Sequence, residues 1–408
     1  MGLPGEMTVT PSPSAAPGPP GAVFIIAGEA SGDWSGSLLV RAMRRARPEL
    51  SFRGIGGRRL AAAGVEVRFD SSSWGAIGVF DALKKVPRMW RAMHEVQAEL
   101  NAHPPGLLVL VDFGAFNMRL ARAIKDVGIP TLYYFPPSSW RRRLRRPELK
   151  DLVDVIATPF PWSAELLSGG RARAEWVGHP VVDSAQPRLS RAEAYDLYRL
   201  DPARPVVALA PGSRDQELRY LFPVLAAAGA KLTKQFPGLQ VVIPVAPTLD
   251  RERVAAELAR AGLTAKLLNG MDYDALQLAQ AAAVCSGTAT LEFCCLGIPM
   301  VITYRTSRAT TLEYRLMRGL FEGQRLAGMP NIIAGREIVP ERMGSGATAE
   351  TIAGDLAAFL NDAGLRARTK AALEEVRATL GPPGATERAA RLALELLGAR
   401  EGCHAAAG

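Results

Sequence analysis

The chain has 408 residues, 48% of them hydrophobic and 22% charged, which is ample for two packed domains and excludes wholesale disorder. Its formal charge of +9 implies an anionic partner: a phosphorylated ligand, an acidic membrane or a nucleic acid. The four cysteines, Cys285, Cys294, Cys295 and Cys403, form no CxxC pair and suit neither a zinc site nor an ordinary disulfide, so they are read as reduced thiols of a cytosolic protein.

Residues 1–20 are rich in Pro, Gly, Ser and Ala without apolar periodicity, and are expected to be a disordered tail. They lack the basic start and continuous apolar core of a secretory signal. Short apolar runs then predict strands at 22–27, 52–55, 65–69, 107–111, 131–135, 153–158 and 174–177, with amphipathic helices between them, such as 35–45 and 118–127. A polar, proline-bearing connector covers 186–204. The alternation restarts at 206–210, 239–245, 265–268, 282–285 and 299–303. The longest apolar runs, 107–111 and 206–210, are too short to span a bilayer.

Near-continuous apolar strands separated by helices indicate parallel sheets covered on both faces. Two such series predict an α/β protein of two doubly wound Rossmann-like domains, 21–185 and 205–380, facing across a cleft, with a C-terminal helix and tail over 381–408. Ligands of such sheets bind beyond the carboxyl ends of the strands, so the loops that follow strands carry the candidate residues.

The first such loop is Ala27-Gly28-Glu29-Ala30-Ser31-Gly32-Asp33. Its glycines permit a tight turn and close ligand approach to backbone N–H groups, and its two acids suit a polar substrate. It is not GxGxxG, so a dinucleotide fingerprint is absent; Asp33 as a helix cap is the plainer alternative. Asp112 follows the strand at 107–111, where a carboxylate can take a proton from a substrate hydroxyl or simply cap the next helix. His179, in Val177-Gly178-His179-Pro180, reads equally as a structural histidine or as one orienting ligand phosphates or hydroxyls. In Pro211-Gly212-Ser213-Arg214, Ser213 and Arg214 lie where a pyrophosphate would meet a helix N-terminus, and arginine offers a fixed fork to phosphate oxygens. Ser286-Gly287-Thr288 is a second small-residue helix start, with Glu292 one turn on and able to accept from two ribose hydroxyls; an ordinary helix start accounts for the small residues nearly as well.

Asp272-Tyr273-Asp274 has the DxD spacing of metal-dependent sugar transferases, but it opens a helix expected at 274–283, where acids cap and favour the dipole. No metal is expected. Two basic groups stand out: 141–146, with Arg141, Arg142, Arg143, Arg145 and Arg146 following Trp140, and 74–93, where Trp74, Ile77, Val79, Phe80, Met89 and Trp90 mix with Lys84, Lys85, Arg88 and Arg91. Basic, aromatic-bearing segments suit an anionic membrane face; a solvated surface is the alternative. No nucleic-acid module accompanies them.

In order, AGEASGD (27–33), GIGGRRLAAAGVE (54–66), VDFGAFN (111–117), PPSSW (136–140), VGHPVVD (177–183), PGSRDQE (211–217), SGTATLE (286–292) and MPNIIAGREIVPE (329–341) resemble the lipid-A-disaccharide synthase family over roughly residues 22–345. The resemblance implies a two-domain GT-B fold and a hexosyltransferase of lipid A biosynthesis. Such an enzyme moves 2,3-diacylglucosamine from UDP-2,3-diacylglucosamine to the 6-hydroxyl of 2,3-diacylglucosamine 1-phosphate (lipid X), releasing UDP. It implies Asp112 as general base, with Glu29, Asp33, Trp140 and His179 on the acceptor side. Arg214, Ser286, Gly287, Thr288, Glu292, Asn331 and Arg336 would hold UDP. It further implies no cofactor or metal, a peripheral place on the cytoplasmic side of the anionic inner membrane, and a homodimer. Two positions depart from the family pattern: Ala115 stands where a second acid is usual, and Arg141 follows Trp140 where another tryptophan is common. The rivals are a paralogous transferase with another lipid or glycan acceptor, a UDP-N-acetylglucosamine 2-epimerase on the same fold, and a catalytically silent binding protein.

Overall fold

The computed structural model describes residues 21–71, 74, 79–142, 146–307 and 326–407, with the backbone alone for 79–85 and 400–407. The expected tail over 1–20, Ile77, and Arg143 and Arg145 of the basic run lie outside the described residues. Seven strands form the first sheet: β1 (Ala22–Ala27), β2 (Ser51–Gly56), β3 (Glu66–Asp70), β4 (Leu107–Val111), β5 (Thr131–Tyr134), β6 (Val155–Thr158) and β7 (Arg173–Trp176). Six form the second: β8 (Val206–Ala210), β9 (Gln240–Val245), β10 (Lys266–Asn269), β11 (Ala281–Cys285), β12 (Met300–Tyr304) and β13 (Glu341–Met343). The central strands β1, β4, β8 and β11 are buried at every residue, which is why their sequences run apolar instead of alternating.

The sheet orders are β3-β2-β1-β4-β5-β6-β7 and β10-β9-β8-β11-β12-β13. In each, the chain builds outward on one side of its first strand and then returns to the other side. The reversal opens a crevice between β1 and β4, and another between β8 and β11. Parallel pairing sets Ala27 beside Val111 and Ala210 beside Val284, so loops about 80 residues apart in sequence leave the sheet together.

Four helices of the first half matter below: α1 (Ala30–Ala46), α2 (Arg58–Ala62), α3 (Val79–Ala102) and α4 (Gly114–Ala123). Helices α1 and α4 each start about a turn earlier than the apolar pattern predicts. The connector expected over 186–204 holds a helix, Arg191–Tyr198, closed by a Ser190/Glu193 capping box. The helix expected over 274–283 is only Tyr273–Leu276, because the chain must enter β11 at Ala281. Strand β13 has too little apolar character to be read from sequence.

The C-terminal helix, Ala385–Ala407, crosses back to the first sheet. It buries Ala389, Ala390, Leu392, Ala393 and Leu397 among Val23, Ile25, Val109 and Leu132. Each fully buried leucine of this kind contributes about 1.5–3 kcal/mol. Asp183 fastens the crossing by accepting from the N–H groups of Gly384 at 2.6 Å and Ala385 at 3.1 Å. Arg388 donates to the carbonyls of Val177, Pro382 and Pro383. A shared apolar cluster joins the halves, with Phe160, Trp162, Val181 and Val182 packed against residues of the second sheet such as Ala208 and Val284. Arg142 adds to this seam, stacking 4.3 Å from the Trp162 ring and donating to Ile333 O at 3.3 Å. Among the described residues no helix is long and apolar enough to cross a membrane.

Candidate functional site

At the first crevice the backbone turns sharply as β4 ends. Asp112 and Phe113 both adopt left-handed conformations, with φ of 48° and 47°. For residues other than glycine this costs of order 1–3 kcal/mol each, and it persists only where the surroundings over-determine it. Here the Tyr133 hydroxyl donates to Asp112 O at 2.7 Å, and Asn117 Nδ2 donates to Asp112 O at 2.9 Å and Val111 O at 3.2 Å. The Asp112 N–H donates to Tyr134 O at 3.0 Å. The Phe113 ring stacks on Phe116 at 5.3 Å and lies 5.7 Å from Trp74. It also covers Gly28, where a Cβ would sit 2.0 Å from a ring carbon. Gly28 is therefore needed for a ring to pass, a reason invisible in the sequence.

The Asp112 carboxylate is left half-buried beside the loop of residues 28–33. Burial, and then the neighbouring Glu29 carboxylate, push its pKa up to about 6, against the lowering pull of the Phe113 backbone and the Ser31 hydroxyl. Ser31 Oγ lies 3.4 Å from Oδ2. An acid poised near neutrality at a cleft can accept a proton from an alcohol.

The other expected acceptor-side residues separate. Glu29 is half-buried at the start of α1, near Asp112. Asp33 is buried and spent: it accepts from the N–H groups of Gly57 (2.7 Å), Arg59 (3.0 Å) and Leu60 (3.1 Å), closing the start of α2. Trp140 is half-buried at the seam, with the Arg141 guanidinium 4.4 Å over its ring. His179 belongs to the crossing between the halves and not to the crevice, because its N–H donates to Leu380 O at 2.8 Å and its Nδ1 accepts from Val181 N. Burial holds its imidazole down at about 3, so it stays neutral, edge-on to Phe135.

At the second crevice Glu217 is buried, and its Oε2 accepts from the N–H groups of Ser213 (2.7 Å) and Arg214 (3.0 Å). Those are the donors expected to meet a pyrophosphate; the chain's own carboxylate occupies them. What remains available is the half-exposed Arg214 side chain, steadied by Glu217 Oε1 at 3.2 Å. Ser286, Gly287 and Thr288 line the neighbouring loop, where Gly287 has φ of 156° and nothing lies within 4 Å of where a Cβ would be. Glu292, half-buried, accepts from the Tyr273 hydroxyl at 3.1 Å. Burial raises its pKa, and Tyr273 and then Arg59 oppose that rise. Arg59 belongs to α2 of the first half, so its field reaches Glu292 across the cleft.

Two expected UDP contacts have partners within the chain. Asn331 is fully buried, its Nδ2 donating to Val339 O and Glu341 Oε1 at 2.8 Å and its Oδ1 accepting from the N–H groups of Ile338 and Val339. With its polar atoms so engaged, it braces the wall behind the loop. Arg336 is exposed and pairs with exposed Glu375 at 3.3 Å. The acids of the DxD are also engaged: Asp272 accepts from Ala275 N and the Tyr198 hydroxyl, and Asp274 from the N–H groups of Arg188 and Leu189.

Of the basic aromatic stretch, Trp74 is buried against Phe113 and Phe116, contrary to the expectation of a surface ring. Val79, Phe80, Lys84 and Lys85 are described by backbone alone. Met89 packs on the core, while Val86, Pro87, Arg88 and Arg91 are exposed. Trp90 is 44% exposed, with the Arg119 guanidinium 4.8 Å from its ring.

The lipid-A-disaccharide synthetase family matches residues 23–395 of the chain. A lipid-A-disaccharide synthase of Geobacter metallireducens is 39% identical over 377 residues, covering 92% of this chain and 97% of that protein. One from Myxococcus xanthus is 37% identical over 380 residues, covering 93% and 98%. Among solved structures, a kitacinnamycin glycotransferase superposes with a TM-score of 0.59 at 16% identity over 93% of this chain and all of that one. MurG of Acinetobacter baumannii gives 0.53 at 14% identity, covering 92% and 100%. UDP-N-acetylglucosamine 2-epimerase of Neisseria meningitidis, bound to UDP-GlcNAc, gives 0.56 at 12% identity, covering 92% and 98%. At such identities the structures establish a shared two-domain GT-B architecture and no more.

Proposed function

The chain belongs to the lipid-A-disaccharide synthetase family and is a hexosyltransferase of lipid A biosynthesis, and from that premise we propose how its residues carry the transfer. The donor is UDP-2,3-diacylglucosamine and the acceptor is the 6-hydroxyl of lipid X. Asp112 accepts the proton of that hydroxyl as its oxygen bonds to the anomeric carbon, with inversion, and UDP leaves from the opposite face. The single observation that supports this reading is the Asp112 carboxylate itself, raised to about 6 at the first crevice by burial and by Glu29.

On the donor side, the half-exposed fork of Arg214 answers the charge growing on the leaving diphosphate. The open backbone at Gly287, flanked by Ser286 and Thr288, lets phosphate oxygens approach, and Glu292 accepts from the ribose. Asp272 caps its helix and Asp274 Oδ1 holds the N–H groups of Arg188 and Leu189, so the acids of the DxD have a structural task and the proposed transfer uses no metal. The exposed face of α3, with Val86, Pro87, Trp90, Arg88 and Arg91, together with Arg119, suits the anionic inner-membrane surface where acylated substrates reside. Each cation near such a surface contributes about 1 kcal/mol.

The test is an assay with UDP-2,3-diacylglucosamine and lipid X, comparing the native chain with Asp112→Asn. Disaccharide and UDP from the first alone are the expected result. Undiminished product from Asp112→Asn rejects the assignment of the base, and epimer formed from UDP-N-acetylglucosamine alone would replace the transferase reading with an isomerase.

A further inference from the structure

We propose that Tyr133 and Asn117 are positioning residues for the transfer, jointly holding the carbonyl of Asp112 so that the left-handed turn at 112–113 aims the carboxylate into the cleft. The inference rests on Asp112 being the base. Its own evidence is geometric. Two donors from different elements, the Tyr133 hydroxyl on β5 (2.7 Å) and Asn117 Nδ2 on α4 (2.9 Å), converge on one carbonyl oxygen. Both side chains are fully buried, and neither reaches the open crevice. Asn117 Nδ2 also donates to Val111 O at 3.2 Å, so one amide braces the two successive carbonyls that lead into the turn.

The residue types at the turn sharpen the argument. Were the left-handed pair needed only to lead β4 into α4, glycine at 112 or 113 would adopt it without strain. The chain instead keeps an acid and an aromatic ring there, at φ of 48° and 47°, and places hydrogen-bond donors beneath. Freeing the Asp112 carbonyl would let residue 112 relax from φ of 48°, and with it the Cα–Cβ direction that sets the carboxylate beside Ser31 and Glu29. The donors that prevent this swing act on the backbone of Asp112, so they need no contact with substrate to control the reaction.

Tyr133→Phe removes one hydroxyl and keeps the ring, so it is the primary variant; Asn117→Ala and the double variant accompany it. Misplacing a catalytic group by about an ångström can cost on the order of a hundredfold in rate. The expected result for Tyr133→Phe is a fall in kcat of roughly tenfold or more, with the donor KM within about twofold of native. Asn117→Ala should behave likewise, and the double variant should lose less than the product of the single losses, because both donors serve one oxygen. If Asn117→Ala fails to fold, Tyr133→Phe decides alone. A native kcat in folded Tyr133→Phe overturns the proposal, as does a rise in KM at unchanged kcat. The two readings fail separately: an active Asp112→Asn removes the base, whereas an inactive Asp112→Asn beside a fully active Tyr133→Phe removes only the positioning role.

Discussion

The two crevices of this molecule occupy equivalent places in two similar sheets and are held in opposite ways. At the β1–β4 crevice an acid and a phenylalanine sit in left-handed backbone, and burial makes the acid costly to ionise. At the β8–β11 crevice the unusual backbone angles fall on Gly212 and Gly287, which adopt them freely, and Glu217 satisfies the loop's own N–H groups. The contrast separates two physical tasks. On the proposed reading, the nucleotide is met by a relaxed loop whose N–H groups are already satisfied and by the cation at its edge. Moving a proton calls for a group held where it would not otherwise rest.

The largest effect that would break this contrast is expected at Asp112. Asp112→Asn should lower disaccharide formation by about 10²–10⁴-fold while leaving UDP binding unchanged. It should not weaken the fold above pH 6. The folded-state pKa of Asp112 is raised from 3.8 to about 6, so its neutral form favours the native state at low pH and that advantage is lost as pH rises through 6. Thermal melts at pH 8 should therefore show Asp112→Asn at least as stable as the native chain; a clear loss would mean that the carboxylate supports the fold. By the same shift, the native rate should fall about tenfold per pH unit below about 6, read in a kcat/KM profile.

Next in size is Gly28→Ala. Its Cβ would meet the Phe113 ring at 2.0 Å, so the ring and the turn beneath it must move. A loss of about 1–3 kcal/mol in stability is expected by denaturant titration, with a larger proportional loss of rate. Gly287→Ala meets nothing within 4 Å, so its cost should be backbone strain at φ of 156° with no displaced ring, and a shifted aromatic neighbour there would erase the contrast. Arg214→Ala tests the gripping side: UDP affinity should fall about tenfold to a hundredfold by calorimetry, as befits a charge-assisted bond to phosphate. The smallest effect belongs to Arg336→Ala. Its exposed pair with Glu375 predicts an almost unchanged Tm and unchanged UDP affinity.

Much of this was legible in the residues. Buried parallel strands write themselves as apolar runs, so among the described residues twelve of the thirteen strands fall where the sequence predicts them, and the loops after β1, β4, β8 and β11 carry the singled-out motifs. The missed strand, β13, reads Glu341-Arg342-Met343 and is fixed by pairing with β12 instead of by its own composition. Asn331 and Asp33 look like ligand-binding residues in a motif, since a polar side chain in a loop gives no sign of whether it turns outward or inward. The structure turns both inward, onto backbone N–H and carbonyl groups that would otherwise be buried without partners.

The sequence by itself determined the two series of strands, the family motifs and the acid at position 112, because these depend on local composition and spacing. Only the tertiary structure decided that Gly28 lies under Phe113, that Tyr133 and Asn117 meet at one carbonyl, and that the C-terminal helix returns to the first sheet. Those contacts join segments far apart in the chain. They exist because parallel pairing and apolar burial bring strand ends together, and no local pattern records which side chains then find themselves face to face.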